Sequence, residues 1–279
     1  MAVSAPNVVA MTRIAVVTGA NQGIGRALVE DLATRWTADD LVLLTGRDPA
    51  RVSEAASAVH GTARVEGRVL DVTDSAAIAS LAASLGAVDV FISNATMRMT
   101  RERSQAEQVD ELIAVSNGAT HAVLRSFSPI LRPGGRLIVV ASSLGTLGNL
   151  DARLRPLFEH ASLDEIEAVV AKWQAAIHDG TAADQGWPEW INVPSKVAQV
   201  AAVRAVARER RAEDLAADRL IASVCPGLVD TLTSRPWFDD FSQAKTPAQA
   251  AKDLLDFILP TPMDPEMYGE LVRDGKVLR

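Results

Sequence analysis

The chain has a single cysteine, Cys225, in 279 residues, so no internal disulfide can form and a reducing compartment is expected. It has no excess of positive charge: 28 Lys and Arg stand against 35 Asp and Glu, a net charge of −7. Nucleic-acid binding needs clustered cations to neutralise phosphates, and the densest group here, Arg204 to Arg211, reads as a solvated helix face. Long apolar runs are missing too. The segment Ile14–Val17 is far too short to span a bilayer, so no membrane partner is expected. Residues 1–10 lack the charged start and apolar stretch of a signal peptide; a flexible tail over 1–12 and a cytoplasmic protein are expected, with Met11 as an alternative start. His60 and His121 show no metal-ligand spacing; His160 and His178 could face a pocket but read as surface or packing residues. Tyrosine occurs once, at Tyr268, where it reads as a packed ring near the end of the chain.

What is present is an alternation. Short β-branched runs at Arg13–Thr18, Leu41–Thr45, Arg64–Leu70, Val88–Ser93, Gly135–Ala141 and Arg219–Val224 are separated by segments of helical period, with a last strand near Gly269–Arg273. Helices are predicted to begin near Gly23, Ala50, Ser75, Ser104, Ser195 and Pro247. Asp74 and Thr246 supply N-caps, and Gly86 a C-terminal stop. The pattern predicts an α/β fold of Rossmann type, a doubly wound parallel sheet in a single domain over 13–279, without linker or internal repeat. One stretch does not fit. Residues 151–190 form an insertion in which Ser162 and Glu165 make a capping-box pair, and Ile166, Val169, Val170, Trp173 and Ile177 share one helical face that must be buried somewhere.

Thr18-Gly19-Ala20-Asn21-Gln22-Gly23-Ile24-Gly25 follows the first strand and opens a helix. Gly19 permits the sharp turn, Gly23 and Gly25 permit close backbone approach, and the helix N-terminus offers free N–H groups to a pyrophosphate. The segment is therefore read as a dinucleotide cradle formed by Gly19, Asn21, Gln22, Gly23, Ile24 and Gly25. At the tip of the second strand, Arg47 precedes Asp48; a guanidinium there suits a 2′-phosphate, so NADP(H) is expected over NAD(H). Asp48 can pair instead with Arg47 or Arg51. Asp71-Val72 either meets the adenine edge or caps a helix.

These residues resemble the short-chain dehydrogenase/reductase superfamily, and within it the monomeric NADPH-dependent carbonyl reductase branch. The resemblance runs from Arg13 over nearly the whole chain, through Thr18 to Gly25, Thr45 to Asp48, Leu70-Asp71-Val72-Thr73, Ser93-Asn94-Ala95, Ser142-Ser143, Gly186-Trp187-Pro188 and Cys225-Pro226-Gly227. It implies an insertion that covers the surface other members use to oligomerise, hence a monomer. It also implies that Asn94 supports the cofactor, Lys196 bonds the nicotinamide ribose, Pro226 and Gly227 shape the loop, and Thr231 contacts the carboxamide. The family transfers hydride with an asparagine, serine, tyrosine and lysine tetrad, in which the asparagine holds a relay water. Ser142 and Lys196 fill the serine and lysine places. Ser116 falls in the asparagine place, with Asn117 one residue late, and Asn192 occupies the place of the tyrosine. A carboxamide does not ionise in the useful range, so Asn192 cannot give the proton that the tyrosine gives. Lys196, with no tyrosine to tune, is then a candidate donor, directly or through water. The expected activity is reduction of a ketone, aldehyde or imine, an iminium needing only hydride. A cyclase, isomerase or lyase on the same cofactor pocket, or a non-catalytic dinucleotide-binding module, are the alternatives. Met97, Met99, Leu144, Trp190, Trp237 and Phe238 suggest an apolar small-molecule substrate.

Overall fold

A computed structural model describes residues 12–279. The expected tail over 1–12 lies, apart from Thr12, outside the described residues. The strands are β1 (Ile14–Val17), β2 (Leu41–Gly46), β3 (Arg64–Val69), β4 (Val88–Ser93), β5 (Leu131–Val140), β6 (Leu220–Val224), β7 (Leu271–Arg273) and β8 (Lys276–Val277). They form one sheet in the order β3-β2-β1-β4-β5-β6-β7-β8, parallel except for the antiparallel β7–β8 pair. The order reverses between β1 and β4, and the crevice at the carboxyl ends of those two strands is where a doubly wound sheet places its ligand. The strands nearest this point are largely apolar because helices cover both faces: every residue of β2 is buried.

Helices α1 (Gly23–Arg35), α2 (Pro49–Ser57) and α3 (Ser75–Leu85) follow the first three strands. Two differences from the sequence expectation concern ends. Strand β5 begins at Leu131 rather than Gly135, because Pro133-Gly134-Gly135 reads as a turn yet continues the strand across a register shift opposite Val88 and Val90. The hairpin partner β8 was not expected at all; two residues carry no periodicity. The caps fall where the sequence puts them, Asp74 accepting from Ala76 and Ala77 and Gly86 closing α3 at φ 68°.

Between β4 and β5 run α4 (Gln105–Leu112) and α5 (Ala119–Phe127), joined without a break by a wide π-type turn over Ile113–Gly118. The insertion contributes the short α6 (Pro156–Glu159) and α7 (Leu163–His178). Its apolar stripe is buried: Ile166, Val170 and Trp173 join Trp187, Met97, Met99, Val109 and Leu112 in a second core beside the main one. Trp187 lies 6.1 Å from Trp173 and 6.3 Å from Phe158, ring centre to ring centre, so Gly186-Trp187-Pro188 anchors the insertion. Helix α8 (Asn192–Ala216) starts three residues earlier than the predicted Ser195, since Pro194 is tolerated in a first turn whose N–H groups have no intrahelical acceptor. Helix α9 (Pro247–Ile258) packs on α1 on one face of the sheet, while α3, α5 and α8 form the layer on the other. No helix among the described residues is long and apolar enough to cross a membrane.

Candidate active site

The glycine turn after β1 is held from the neighbouring strand. The Thr18 hydroxyl accepts from the backbone N–H of Asn94 and of Ala95, both at 3.0 Å, and the Asn94 side chain donates to the carbonyls of Thr18 and Gly19. Asn94 thus fixes the cradle itself. Gly19 and Gly23 have φ of 61° and 57°, a left-handed conformation that side chains disfavour. At Gly25 the reason for glycine is space: a Cβ there would sit 2.5 Å from Asn94 Nδ2 and 2.6 Å from the Gly19 carbonyl. Gln22 precedes α1 without any side-chain cap, which leaves the first N–H groups of the helix open to an anion. The Gln22 side chain turns away, its Oε1 accepting from Arg51 at 2.7 Å. Asn21 lies beside Gly46, at the end of β2, and Ile24 packs partly against the main core.

Arg47 and Asp48 follow β2, and Asp71 and Val72 lie just beyond β3. Arg47 is exposed, its guanidinium 3.9 Å from Glu111. Asp48 accepts from the Arg51 backbone N–H as the cap of α2, so it spends its carboxylate on neither guanidinium. Asp71 accepts from the backbone and hydroxyl of Thr73, and these bonds, with the nearby Arg47 charge, hold its carboxyl below the usual range. Val72 packs between the two cores. From the far side, the loop after β6 passes Pro226 and Gly227 (φ 80°) and brings the Thr231 methyl to 3.8 Å from where a Cβ on Gly23 would be.

The chemical end of the site is built by β5, the wide turn and α8. Ser142 follows β5, half-buried, and its Oγ accepts from Leu144 N–H at 3.2 Å. The turn it opens seats directly on α8. At Gly145 a Cβ would meet the Lys196 carbonyl oxygen at 2.9 Å and Val200 at 2.6 Å, so only glycine allows this contact. Ser143 N–H donates to the Cys225 sulfur at 3.2 Å, tying the same turn to the end of β6. Asn192 and Lys196 are one helical turn apart on α8 and share a face. The Asn192 carboxamide is half-buried and makes no side-chain hydrogen bond among the described residues. Lys196 is 8% exposed, and its Nζ donates to Gln199 Oε1 at 2.7 Å. Burial pushes the lysine down to about 8, against a smaller upward pull from Cys225.

Ser116 and Asn117 both lie in the wide turn and are buried, and they do different things. The Asn117 carboxamide grips α8, Nδ2 donating to the Ser195 carbonyl and Oδ1 accepting from the Ser195 hydroxyl, each at 2.9 Å. Ser116 contributes its carbonyl, which takes bonds from Gln199 and Thr120, while its own hydroxyl is buried without a partner. Gln199 and Ser195 were not singled out in the sequence. A signal for Gln199 exists: it is the one strongly polar side chain in the otherwise apolar run Val197 to Val203.

The expected apolar lining is only partly correct. Met97 and Met99 are 6% and 5% exposed and belong to the second core, packed under the insertion rather than facing an open pocket. Leu144, Trp190 and Trp237 remain partly exposed, with the two indoles 5.6 Å apart and the Arg101 guanidinium 5.7 Å from the centre of the Trp237 ring. Phe238 is 46% exposed. His160 and His178 do not enter the site: His178 bonds Asp110 at 2.7 Å and ties α7 to α4, and the His160 carbonyl accepts from Arg208. Tyr268 is buried and donates to Asp214 at 2.7 Å.

The profile of the short chain dehydrogenase family matches residues 13–152. Carbonyl reductase [NADPH] 3 of Mus musculus is 30% identical over 95% of this chain and 98% of its own length. Carbonyl reductase [NADPH] 1 of Sus scrofa is 29% identical over 96% of this chain and 94% of its own. Among solved structures, salutaridine reductase from Papaver somniferum covers 93% of this chain and 99% of its own with a TM-score of 0.77 at 22% identity. NADPH-bound carbonyl reductase from chicken fatty liver covers 96% and 98%, with a TM-score of 0.66 at 20% identity. The profile match, the length of the shared alignment and the doubly wound sheet agree: this chain belongs to the short-chain dehydrogenase family and is carbonyl reductase-like over nearly its whole length.

Proposed function

We propose that the protein is an NADP(H)-dependent reductase of a carbonyl or imine group on an apolar small molecule. The observation that carries this reading is the glycine cradle at the uncapped start of α1, with Lys196 buried on α8 in the opposite helical layer. The cradle fits a dinucleotide, since side chains at Gly19, Gly23 or Gly25 would strain or fill it. Gly19, Asn21, Gln22, Gly23, Ile24 and Gly25 would hold the diphosphate, Arg47 the 2′-phosphate, and Asp71 and Val72 the adenine edge. Asn94 braces the loop, Lys196 takes the ribose hydroxyls, and Pro226, Gly227 and Thr231 close over the carboxamide. The full-length relatives named as NADPH carbonyl reductases support the cofactor and the reaction class.

When bound, the reduced nicotinamide supplies the hydride. The protein does the rest. Ser142 donates to the substrate oxygen, and Asn192 orients it through its free carboxamide. Because Asn192 cannot ionise, the proton comes from the Lys196 ammonium, which is left as the amine and recharged from water. An iminium substrate would need no such proton. Leu144, Trp190, Trp237 and Phe238 give the acceptor an apolar wall. Residues 13–279 act as one domain, and the single buried thiol suits a reducing cytoplasm.

The test is loss of the reduced-nicotinamide absorbance over a panel of ketones, aldehydes and cyclic imines, with wild type and Asn192→Tyr side by side. Wild-type turnover is expected, with the variant faster on carbonyls by roughly 10²-fold. A wild type silent on every compound while Asn192→Tyr turns over would overturn the native reductase reading.

A further inference from the structure

A π-type turn closes i→i+5 bonds in a widened backbone, which lets side chains reach its carbonyls. In the turn over Ile113–Gly118 the Ser116 carbonyl accepts the Ala119 N–H and takes two side-chain donors besides. Thr120 Oγ1 donates to it at 2.7 Å and Gln199 Nε2 at 3.2 Å, and Gln199 Nε2 also reaches Thr120 Oγ1 at 2.9 Å. These contacts fix the orientation of the glutamine. A backbone carbonyl can only accept, so the amide nitrogen must face Ser116, and the threonine spends its proton on that carbonyl and can only accept from Gln199. The amide oxygen is therefore forced to the other side, where Lys196 Nζ lies at 2.7 Å.

Gln199 is 3% exposed and Lys196 8% exposed, so solvent does not compete for this bond. Among the described residues no carboxylate pairs with Lys196; Cys225, just past β6, is the titratable group that favours its charged form. An ammonium has three N–H bonds, and one given to Gln199 leaves two for a ligand.

We propose that Gln199 is a positioning residue of the active site, anchored on the Ser116 carbonyl in the wide turn and holding Lys196 in place as the charged ammonium, the form that can give a proton where Asn192 cannot. The functional weight of this inference rests on the reading of Lys196 as the proton source. The neutral carboxamide suits that task better than a carboxylate, because it favours the cation through its dipole without trapping the proton in an ion pair.

The test needs no nucleotide. The chain has five lysines, so the side-chain carbons of lysine-labelled protein can be followed singly by NMR through a pH titration, with Lys196 assigned by the signal absent from Lys196→Met. In ligand-free wild type the Lys196 midpoint is expected near 8. Gln199→Met keeps the length and removes the acceptor, and should lower the midpoint by about one unit or more. Gln199→Glu should raise it. Opposite shifts in the two variants support the assignment. A midpoint unmoved in either variant, or moved the same way in both, overturns it, and would mark Gln199 as packing alone. Should Gln199→Met fail to fold, the upward shift in Gln199→Glu decides the question. Because the readout is the free protein, a failure here is separate from a failure to bind or reduce anything.

Discussion

A buried lysine without a counter-ion is expensive, and its cost has a sign that pH reveals. Burial pushes Lys196 down to about 8, below the value near 10.4 of an unfolded chain. Between these two values the unfolded state binds more protons than the folded one, so stability rises with pH across that window and is lowest, as far as this residue decides, below it. Lys196→Met should therefore raise the thermal midpoint of the ligand-free protein at neutral pH by a few degrees, corresponding to about 1 kcal/mol or more. That gain should shrink as the pH climbs past 8. Calorimetric scans at pH 7 and pH 10 check both statements, and a variant less stable at both values would contradict them. The same substitution removes the expected ribose contact and proton source, so the lysine is a case of stability given up for chemistry.

Among the elements, α5 and α7 show how the insertion is held. Arg125 on α5 bonds Asp164 at 2.6 Å and Glu167 at 2.8 Å on α7. Beneath this exposed pairing lies His121, 2% exposed, with Glu167 3.5 Å away and neither ring nitrogen in hydrogen-bond geometry. Burial pushes His121 down to about 4, outweighing the upward pull of Glu167. The neutral ring adds no pH dependence above the ordinary histidine range. As the pH falls from about 6.5 towards 4, the unfolded chain takes up the proton first and the α5–α7 contact loses stability. His121→Leu should flatten this acid-side loss in a denaturation series from pH 7 to pH 4; an unchanged slope would contradict the assignment.

The elements also show which parts of the sequence were readable. Strands β1, β2 and β4 and their helices were legible because burial on both faces demands mostly apolar runs, and because Asp74, Ser104, Ser162 and Thr246 mark helix starts chemically. The glycine cradle was legible for the same kind of reason: only glycine meets the φ at Gly19 and the space at Gly25. The wide turn at Ile113–Gly118 was not, since it has the same apolar period as the helices it joins. Its absence from the sequence reading hid the difference between Ser116, which offers a carbonyl, and Asn117, which grips Ser195. Gln199 was missed with it: its polar side chain in the apolar run Val197 to Val203 was a signal, but its partner in that turn was hidden. Met97 and Met99 were misread as pocket lining because apolar type does not distinguish a wall from a core.

At the scale of the whole molecule, the insertion changes what the surface can do. The α4–α7 and α7–α8 contacts cover a helical face with a second core that includes Ile166, Val170 and Trp173. We propose that this makes the protein a monomer, with the net charge of −7 further opposing self-association. Light scattering across a concentration series should return the mass of one chain; a stable dimer would contradict the proposal.

The central claim is that the turn from Thr18 to Gly25 grips a dinucleotide and that Arg47 prefers the one carrying a 2′-phosphate. Calorimetric titration of the purified protein with NADPH and with NADH tests it most directly. NADPH should bind more tightly, and Arg47→Ala should weaken NADPH by about tenfold or more while leaving NADH nearly unchanged, the loss expected for a charged hydrogen bond. Binding of neither nucleotide would contradict the account at its base, and equal binding of both, untouched by Arg47→Ala, would contradict the role given to that arginine.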